Sequence, residues 1–567
     1  MLAAWVFFYR LGFLPLTDWD EAWHAQVASE IVSRGDWLWL HYRNLPYFNK
    51  PPLTFWLKAV AFRIGGVNES SARFFPALFG DASVMMTAWF FAKLFDRLTG
   101  LLAGFILCTS WLFTLHHAGR SGETDSTLIF FQIMTFISLW QARRNTRWYY
   151  LAGVFTALGW MTKGSTAYLL WPVMLLGRLL EHIENRRHLN LNHGLVAHAT
   201  KSKSVQEVWF RHAVGGLALA FGLTLPWQGL MLARYGRVFA KAFYVGEGAL
   251  PAMQVIENHP GDSTFYLQIF HAFFQPWFLL AAAPVVWALW RNRSAIEPAV
   301  FYLIAWGGLI LVACSLFATK MVWYATPALP PLAGLAAVAG IGLSRRRGGW
   351  MVLLAVAGFG VYQVTEQSWT TVSRSIAGLL VILAGWRLAT PVLWSRLACE
   401  ARLAGLSPRR ASQARRLNNE GGPIADWKLF HWQTGISMFC LAVPLAAHFK
   451  VIYGAIVHGN SVAEWSELNV DDEPWRELCR RIDRDFPGRP IVLAGIPLNP
   501  AAYFYLHQLQ VPSDINSVAL ERVHELQFSD LDPLVITRIE WADTLHAIHF
   551  QDLFSEGSLL ILRREGK

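Results

Sequence analysis

The residues best able to do chemistry lie in short polar stretches between long apolar runs. One stretch reads Asp18-Trp19-Asp20-Glu21-Ala22-Trp23-His24 and continues to Asn44-Leu45-Pro46-Tyr47-Phe48-Asn49-Lys50-Pro51-Pro52-Leu53. A second reads His116-His117-Ala118-Gly119-Arg120-Ser121-Gly122-Glu123-Thr124-Asp125. A third places Lys163-Gly164 between two apolar runs, and a fourth, Ser315 to Tyr324, sets Lys320 and Tyr324 ahead of Pro327 and Pro330. Aspartates suit base chemistry or stabilisation of a cationic sugar centre, and lysines suit a phosphate. Each stretch also has an ordinary reading. Aspartate is a good helix N-cap, and a lysine ahead of prolines can anchor a chain at an interface by snorkelling. Ionisable groups at membrane depth are costly, however, and usually face a cavity or a partner. Acids and lysines gathered from separate segments on one face therefore suggest a site at the outer membrane surface.

The elements that must position these residues are membrane helices. The chain has 567 residues, 54% of them hydrophobic and only 16% charged, where soluble chains average about 25% charged. Apolar spans run near 72–94, 99–116, 125–141, 147–161, 164–180, 210–231, 264–289, 298–317, 321–343, 350–364, 374–395 and 429–457. With a marginal first helix from Leu2 towards Leu16, read as a span and not as a cleaved signal, these predict a polytopic α-helical membrane protein of about thirteen helices. Many of the 28 tryptophans flank the spans, as an interfacial belt would. With thirteen spans, the basic connections fall on one side: Arg143, Arg144 and Arg147, then Arg186 to Lys203, Arg291 and Arg293, Arg345 to Arg347, and 396–428. The positive-inside rule makes that side cytoplasmic. The 18–70, 117–124 and 232–263 loops and the C-terminus then lie outside. The first of these loops carries two amphipathic stretches, Asp20–Ser33 and Leu53–Ile64, suited to lying on the interface. Beyond about residue 460 the charge density becomes ordinary. A helix at Trp475–Phe486 and strands at Ile491–Leu493 and Leu559–Leu562 predict a small α/β domain outside the membrane. The expected domains are thus 1–460 and 461–567.

Several function classes are disfavoured. The net charge of +10 (49 Lys+Arg, 39 Asp+Glu) fits basic cytoplasmic loops and does not call for nucleic acid. Five scattered cysteines without a CxxC pair give neither a disulfide framework nor a zinc site. A nucleotide-sugar site is not implied, because no phosphate-cradling glycine loop is present.

The motifs themselves carry a resemblance. A D-E-A loop at Asp20, a K-P-P-L element at Lys50, an R-x4-D loop from Arg120 to Asp125, a T-K-G turn at Lys163 and an S-x4-K-x3-Y-x2-P element from Ser315 to Pro327 occur in that order. Over roughly residues 10–335 the chain resembles the polyprenyl-phosphate-sugar-dependent glycosyltransferases of the GT-C type. Within that group it is most similar to the aminoarabinose transferases that modify lipid A, with their protein O-mannosyltransferase relatives. The resemblance implies an integral enzyme of the bacterial inner membrane, its active site and C-terminal domain facing the periplasm. The donor would be an undecaprenyl or other polyprenyl phosphate sugar, and the acceptor a lipid such as lipid A, another glycan or a protein. It further implies Asp20 as the catalytic aspartate, Asp125 as a second acidic residue, Lys50 on the donor phosphate, and Tyr47 and Tyr324 as lining. Lys163, Arg120 and Lys320 join the phosphate-binding set, and Glu21 and His24 complete the first loop.

This chain departs from the family pattern at several positions. Trp23 and His24 stand where the aminoarabinose enzymes have Arg and Tyr, Asn49 where they have Glu, and Glu247-Gly248-Ala249-Leu250-Pro251-Ala252 where they have E-H-x-x-R-F. The replaced Glu and His, at Asn49 and Gly248, are positions associated with a divalent metal, so no cofactor is firmly implied. His24, His116, His117 and His259 are the outer-loop histidines that could substitute, although a lone outer-loop histidine is more often a surface residue. Two other classes stay open. Asp81 within the second span would suit a transporter or flippase, and a degenerate relative could serve as a non-catalytic scaffold.

Overall fold

The computed structural model describes residues 1–345 except Asp18, 192–195, 257–258 and 291–296, with Gly349, 352–353 and most of 438–457. In the C-terminal region it describes 475–496, 500–509, 516–518, 533–547 and 550–564. The chain divides into two compact units: Met1–Phe7 with Leu78–Gly119 and Asp125–His458, and Phe8–Ala77 with Arg120–Thr124 and Gly459–Lys567.

The first unit is helical. Among the described residues, four helices are long and apolar enough to cross a membrane: Glu69–Leu94, whose first turns belong to the other unit, Val208–Met253, Pro298–Leu316 and Val322–Ser344. Shorter apolar helices lie at Arg97–Cys108, Trp277–Leu289 and Cys440–Gly454. Helices also cover the expected spans at Asp125–Gln141 and Trp148–Lys163. The expected spans at 350–364 and 374–395 lie outside the described residues. Local chemistry moves several expected boundaries. The first helix covers only Leu2–Phe8. The 264–289 stretch forms two helices, Phe265–Phe273 and Trp277–Trp290, parted at Pro276, which has no backbone N–H to continue the first. The helix expected over 210–231 runs on to Ala240, with Gly236 at φ +52° interrupting its regular backbone.

The second unit combines the first loop with the C-terminal region. In the loop, helices Asp20–Arg34 and Leu53–Gly65 form where the amphipathic stretches predict them. They flank a small hairpin of β1 (His41–Tyr42) and β2 (Leu45–Pro46). Arg43 and Asn44 at its tip both have positive φ, as a two-residue primed turn requires. Glu30 caps that tip, accepting the Arg43 and Asn44 N–H groups at 2.7 and 3.2 Å.

The C-terminal region builds a five-stranded mixed sheet from β3 (Ile491–Ala494), β4 (Asn516–Val518), β5 (Leu534–Arg538), β6 (Phe550–Glu556) and β7 (Leu559–Arg564), in the order β4-β3-β5-β7-β6. β3 runs parallel to β4 and β5, and β7 antiparallel to β5 and β6. Its side chains alternate between two cores, as the two-residue period of a strand demands. Val492, Ala494, Val535, Leu560 and Leu562 face one side, with Leu545. Ile491, Leu493, Leu534, Ile536, Leu559 and Ile561 face the other, with Trp475, Leu478 and Ile482 of the Trp475–Asp485 helix and Phe504 and Leu506 of the Pro500–His507 helix. That second core is shared with the first loop, through Leu16, Ala22, Ala25, Ala28, Phe62 and Ala72. The alanines at a three-residue spacing give the Asp20–Arg34 helix a small-residue face, on which the Pro500–His507 helix packs.

Candidate functional site

In the second unit the first-loop acids have separate fates. Asp20 opens its helix and is partly exposed. Trp19 before it holds φ +62°, a left-handed backbone costing on the order of 1 kcal/mol or more for a bulky side chain. Glu21, 1% exposed, points inward. Its carboxylate accepts from Arg73 Nε (2.6 Å) and Nη2 (2.7 Å), from the Thr17 and Gly122 N–H groups (2.8 and 2.6 Å) and from the Thr17 hydroxyl (3.0 Å). Burial alone would raise its pKa, but the Arg73 charge and these hydrogen bonds outweigh it and hold Glu21 at about 2. Arg73 Nη1 also donates to the Leu11 and Leu14 carbonyls (3.2 and 2.7 Å) and Nη2 to the Pro15 carbonyl (2.7 Å). All five guanidinium N–H groups are thereby used.

Lys58, fully buried, donates to the Ala72 carbonyl at 2.8 Å and to the Gly122 carbonyl. Burial lowers its pKa to about 8, against the pull of Glu123 and Glu21. Gly122 fits because a Cβ there would stand 2.9 Å from Glu21 Cγ and 3.3 Å from Lys58 Nζ. His24 Nδ1 lies 3.2 Å from Glu123 Oε2, both side chains buried, so His24 is no surface histidine.

Three residues expected on the donor side lie in this unit. Tyr47 is 5% exposed, packed with Val27, Ile31, Leu40 and Phe55. Lys50 is partly exposed, just ahead of the helix that Pro52 caps. Arg120 Nη2 donates to the Tyr9 carbonyl at 2.9 Å.

In the first unit, Asp125 is 1% exposed at the start of its helix. Lys163 Nζ donates to both of its oxygens, at 2.6 and 2.7 Å, and His117 Nδ1 lies 3.1 Å from Oδ2. Gly164 at φ +79° makes the turn that ends the Lys163 helix, a conformation glycine adopts freely. The His117 ring is parallel to Trp323, centroids 3.9 Å apart, and His116 stacks on Trp111, which stacks on Phe273. Lys320 has a different use: its ammonium donates to the Cys314, Ser315 and Phe317 carbonyls and so caps the Pro298–Leu316 helix. Tyr324 is half-buried, its carbonyl accepting from Cys314 Sγ at 3.3 Å.

The expected set is thus brought together in part. Asp125 and Lys163 meet directly, while Lys320 serves the backbone. Sequence reasoning did not single out Arg73, Lys58, Glu123 or Trp323. A charged residue at the head of an apolar span was the available signal for Arg73. At the two positions associated with a divalent metal, Asn49 offers an amide in place of a carboxylate, and Gly248, in a π-helical turn, has no side chain.

The family model for dolichyl-phosphate-mannose-protein mannosyltransferase matches residues 49–200. The chain is 27% identical over 336 residues to an undecaprenyl phosphate-alpha-4-amino-4-deoxy-L-arabinose arabinosyl transferase of Enterobacter sp. (strain 638), covering 58% of this chain and 56% of that protein. It is 25% identical over 439 residues to the Aeromonas hydrophila transferase of that name, covering 71% and 73%. The chain therefore spans just over half the length of the first of these relatives. In structure it is similar to ArnT from Cupriavidus metallidurans bound to undecaprenyl phosphate, with a TM-score of 0.65 at 17% identity, over 99% of this chain and 96% of that one. The chain is thus similar in sequence to these transferases over part of its length, and it shares the polytopic membrane fold of that ArnT structure.

Proposed function

We propose that the chain is an inverting glycosyltransferase that moves a sugar from a polyprenyl phosphate, such as undecaprenyl phosphate, to a periplasm-facing acceptor such as lipid A. It would work in a bacterial inner membrane, with about thirteen helices by the span-length criterion, a membrane domain over 1–460 and a periplasmic α/β domain over 461–567. The acceptor oxygen attacks the anomeric carbon from the face opposite the phosphate. The carbon–oxygen bond to the phosphate breaks, and polyprenyl phosphate leaves with the electron pair. Asp20 takes the acceptor's proton, or orients the acceptor when that is itself a phosphate and carries none to lose. Lys50 and Lys163 offset the charge growing on the leaving phosphate. Asp125 holds Lys163 and His117 in place for that role.

The observation that carries this reading is the contrast between Asp20 and Glu21. Neighbours in sequence, one is buried and fully bonded, while the other stands partly exposed at a helix start behind a strained Trp19. Such strain persists where the surroundings over-determine it, commonly at functional sites. Mass spectrometry of lipid A from wild-type, deletion and Asp20→Asn strains tests the reading. Loss of one sugar-sized mass in both altered strains is expected. Unchanged lipid A in all three would exclude that acceptor, and an Asp20→Asn strain that still adds the sugar would exclude Asp20.

A further inference from the structure

Among the described residues, the peptide between the first helix and the Asp20–Arg34 helix has no regular secondary structure, so its backbone groups need partners from elsewhere. Arg73 takes the carbonyls of Leu11, Leu14 and Pro15. Three further groups are held by the C-terminal region. Arg476 Nη1 donates to the Gly12 and Phe13 carbonyls, at 3.4 and 2.9 Å. The Leu16 N–H donates to the Tyr505 hydroxyl at 2.8 Å in a buried setting. Tyr505 in turn donates to Glu69 Oε1 at 3.1 Å, and Arg476 lies 3.6 Å from the same oxygen. Leu16 itself sits in the core that Trp475, Leu478 and Tyr505 share. The next residue, Thr17, is bound through its N–H and hydroxyl to Glu21.

We infer that Arg476 and Tyr505 are positioning residues for the first-loop acid, and that residues 461–567 act in transfer by fixing the peptide that leads into Asp20. The inference rests on Asp20 as the catalytic aspartate proposed above. A hydrogen bond to a backbone group restrains its peptide plane, and here the carbonyls of Gly12 and Phe13 and the buried N–H of Leu16 are met by side chains more than 450 residues away in sequence. A displacement of about 1 Å in a reacting group is enough to cost about a hundredfold in rate, so a modest loosening of this segment registers as lost turnover. A domain that recognised only the acceptor would have no need to bond the backbone ahead of the acid.

The test uses the full-length protein in detergent or vesicles, with a polyprenyl-phosphate sugar as donor. Tyr505→Phe removes one oxygen and leaves the Leu16 N–H unpaired. We expect kcat to fall about tenfold, with the donor KM changed by no more than about twofold and the unfolding temperature near wild type. A Tyr505→Phe protein with wild-type kcat, or one whose donor KM rises while kcat holds, overturns the inference. Should that variant not fold, Arg476→Met against Arg476→Lys carries the same test, since lysine still reaches a carbonyl and keeps the charge facing Glu69. A higher kcat for Lys than for Met supports positioning, and equal values overturn it. Asp20→Asn, measured alongside, separates the two claims. If Asp20→Asn transfers normally, the functional reading fails; if it is inactive while Tyr505→Phe is wild type, only this inference fails.

Discussion

In the unit that holds the first loop, Arg73 gives all five of its N–H groups to fixed acceptors. In the helical unit, Lys163 gives its ammonium to one side chain, Asp125. Both cations are paired with a nearly inaccessible carboxylate, yet the pairs are suited to different work. Arg73 and Glu21 bind backbone: three carbonyls on one side, and the Thr17 and Gly122 amides on the other. Nothing in that network is left to offer a substrate. Lys163 and Asp125 bind each other and a histidine that stacks on Trp323. A lysine ammonium is a compact charge that can exchange one anionic partner for another, so this pair can open to a phosphate without loosening the backbone. The comparison teaches that a buried ion pair is read by what else its partners hold.

The sharpest way to break this comparison is Arg73→Met. It strands Glu21 and three carbonyls in the interior, and we expect about 3–5 kcal/mol of lost stability, seen as a large fall in the unfolding temperature in detergent. Wild-type unfolding would show the network to be dispensable. Titration sharpens the same point. Glu21 is held at about 2 against an ordinary value of 4.5, so its contribution is fully present above 4.5 and is lost as pH falls towards 2. The whole effect is about 3 kcal/mol and should be absent in Glu21→Gln. Lys58 has the opposite sign. Its pKa is lowered from 10.5 to about 8, so below pH 8 its buried charge costs stability in full, and that cost is relieved as pH rises from 8 to 10.5. Unfolding curves of Lys58→Met should lose this rise. In the other unit, Lys163→Met leaves Asp125 with His117 and strands no backbone carbonyl, so we expect a smaller loss of stability than in Arg73→Met, while transfer falls about ten- to a hundredfold, measured as kcat with the polyprenyl donor. An effect on unfolding matching that of Arg73→Met would erase the distinction. The smallest effect belongs to Trp323→Leu, which removes the platform under His117 and should lower transfer by a factor corresponding to about 0.5–1.5 kcal/mol.

Much of this architecture is legible in the sequence. The apolar runs mark helices at Glu69–Leu94 and Pro298–Leu316, and the amphipathic stretches give the two first-loop helices nearly to the residue. The change of composition after residue 460 gives the sheet domain, with its Trp475–Asp485 helix and strands β3 and β7. The breaks are harder to see, because Pro276 sits inside an apolar stretch whose hydropathy does not change, and Gly236 lies in a polar connection that the helix continues through. The site is legible by type and not by partner. Motif order marks Asp20, Asp125 and Lys163, but nothing in the spacing says that Glu21 meets Arg73 52 positions later, or that Leu16 meets Tyr505 489 positions later. Such pairings are decided by tertiary packing. Lys320 shows the converse, a lysine in a family motif whose ammonium closes off a helix end.

The account is tested most directly by the transfer rate of purified Asp20→Asn, taken beside the unfolding temperature of the same protein and of Glu21→Gln. We predict that Asp20→Asn unfolds like wild type and loses transfer about a hundred- to ten-thousandfold, while Glu21→Gln unfolds at a distinctly lower temperature. Wild-type transfer by Asp20→Asn, or an equal loss of stability in the two variants, would contradict the division of labour between these adjacent acids.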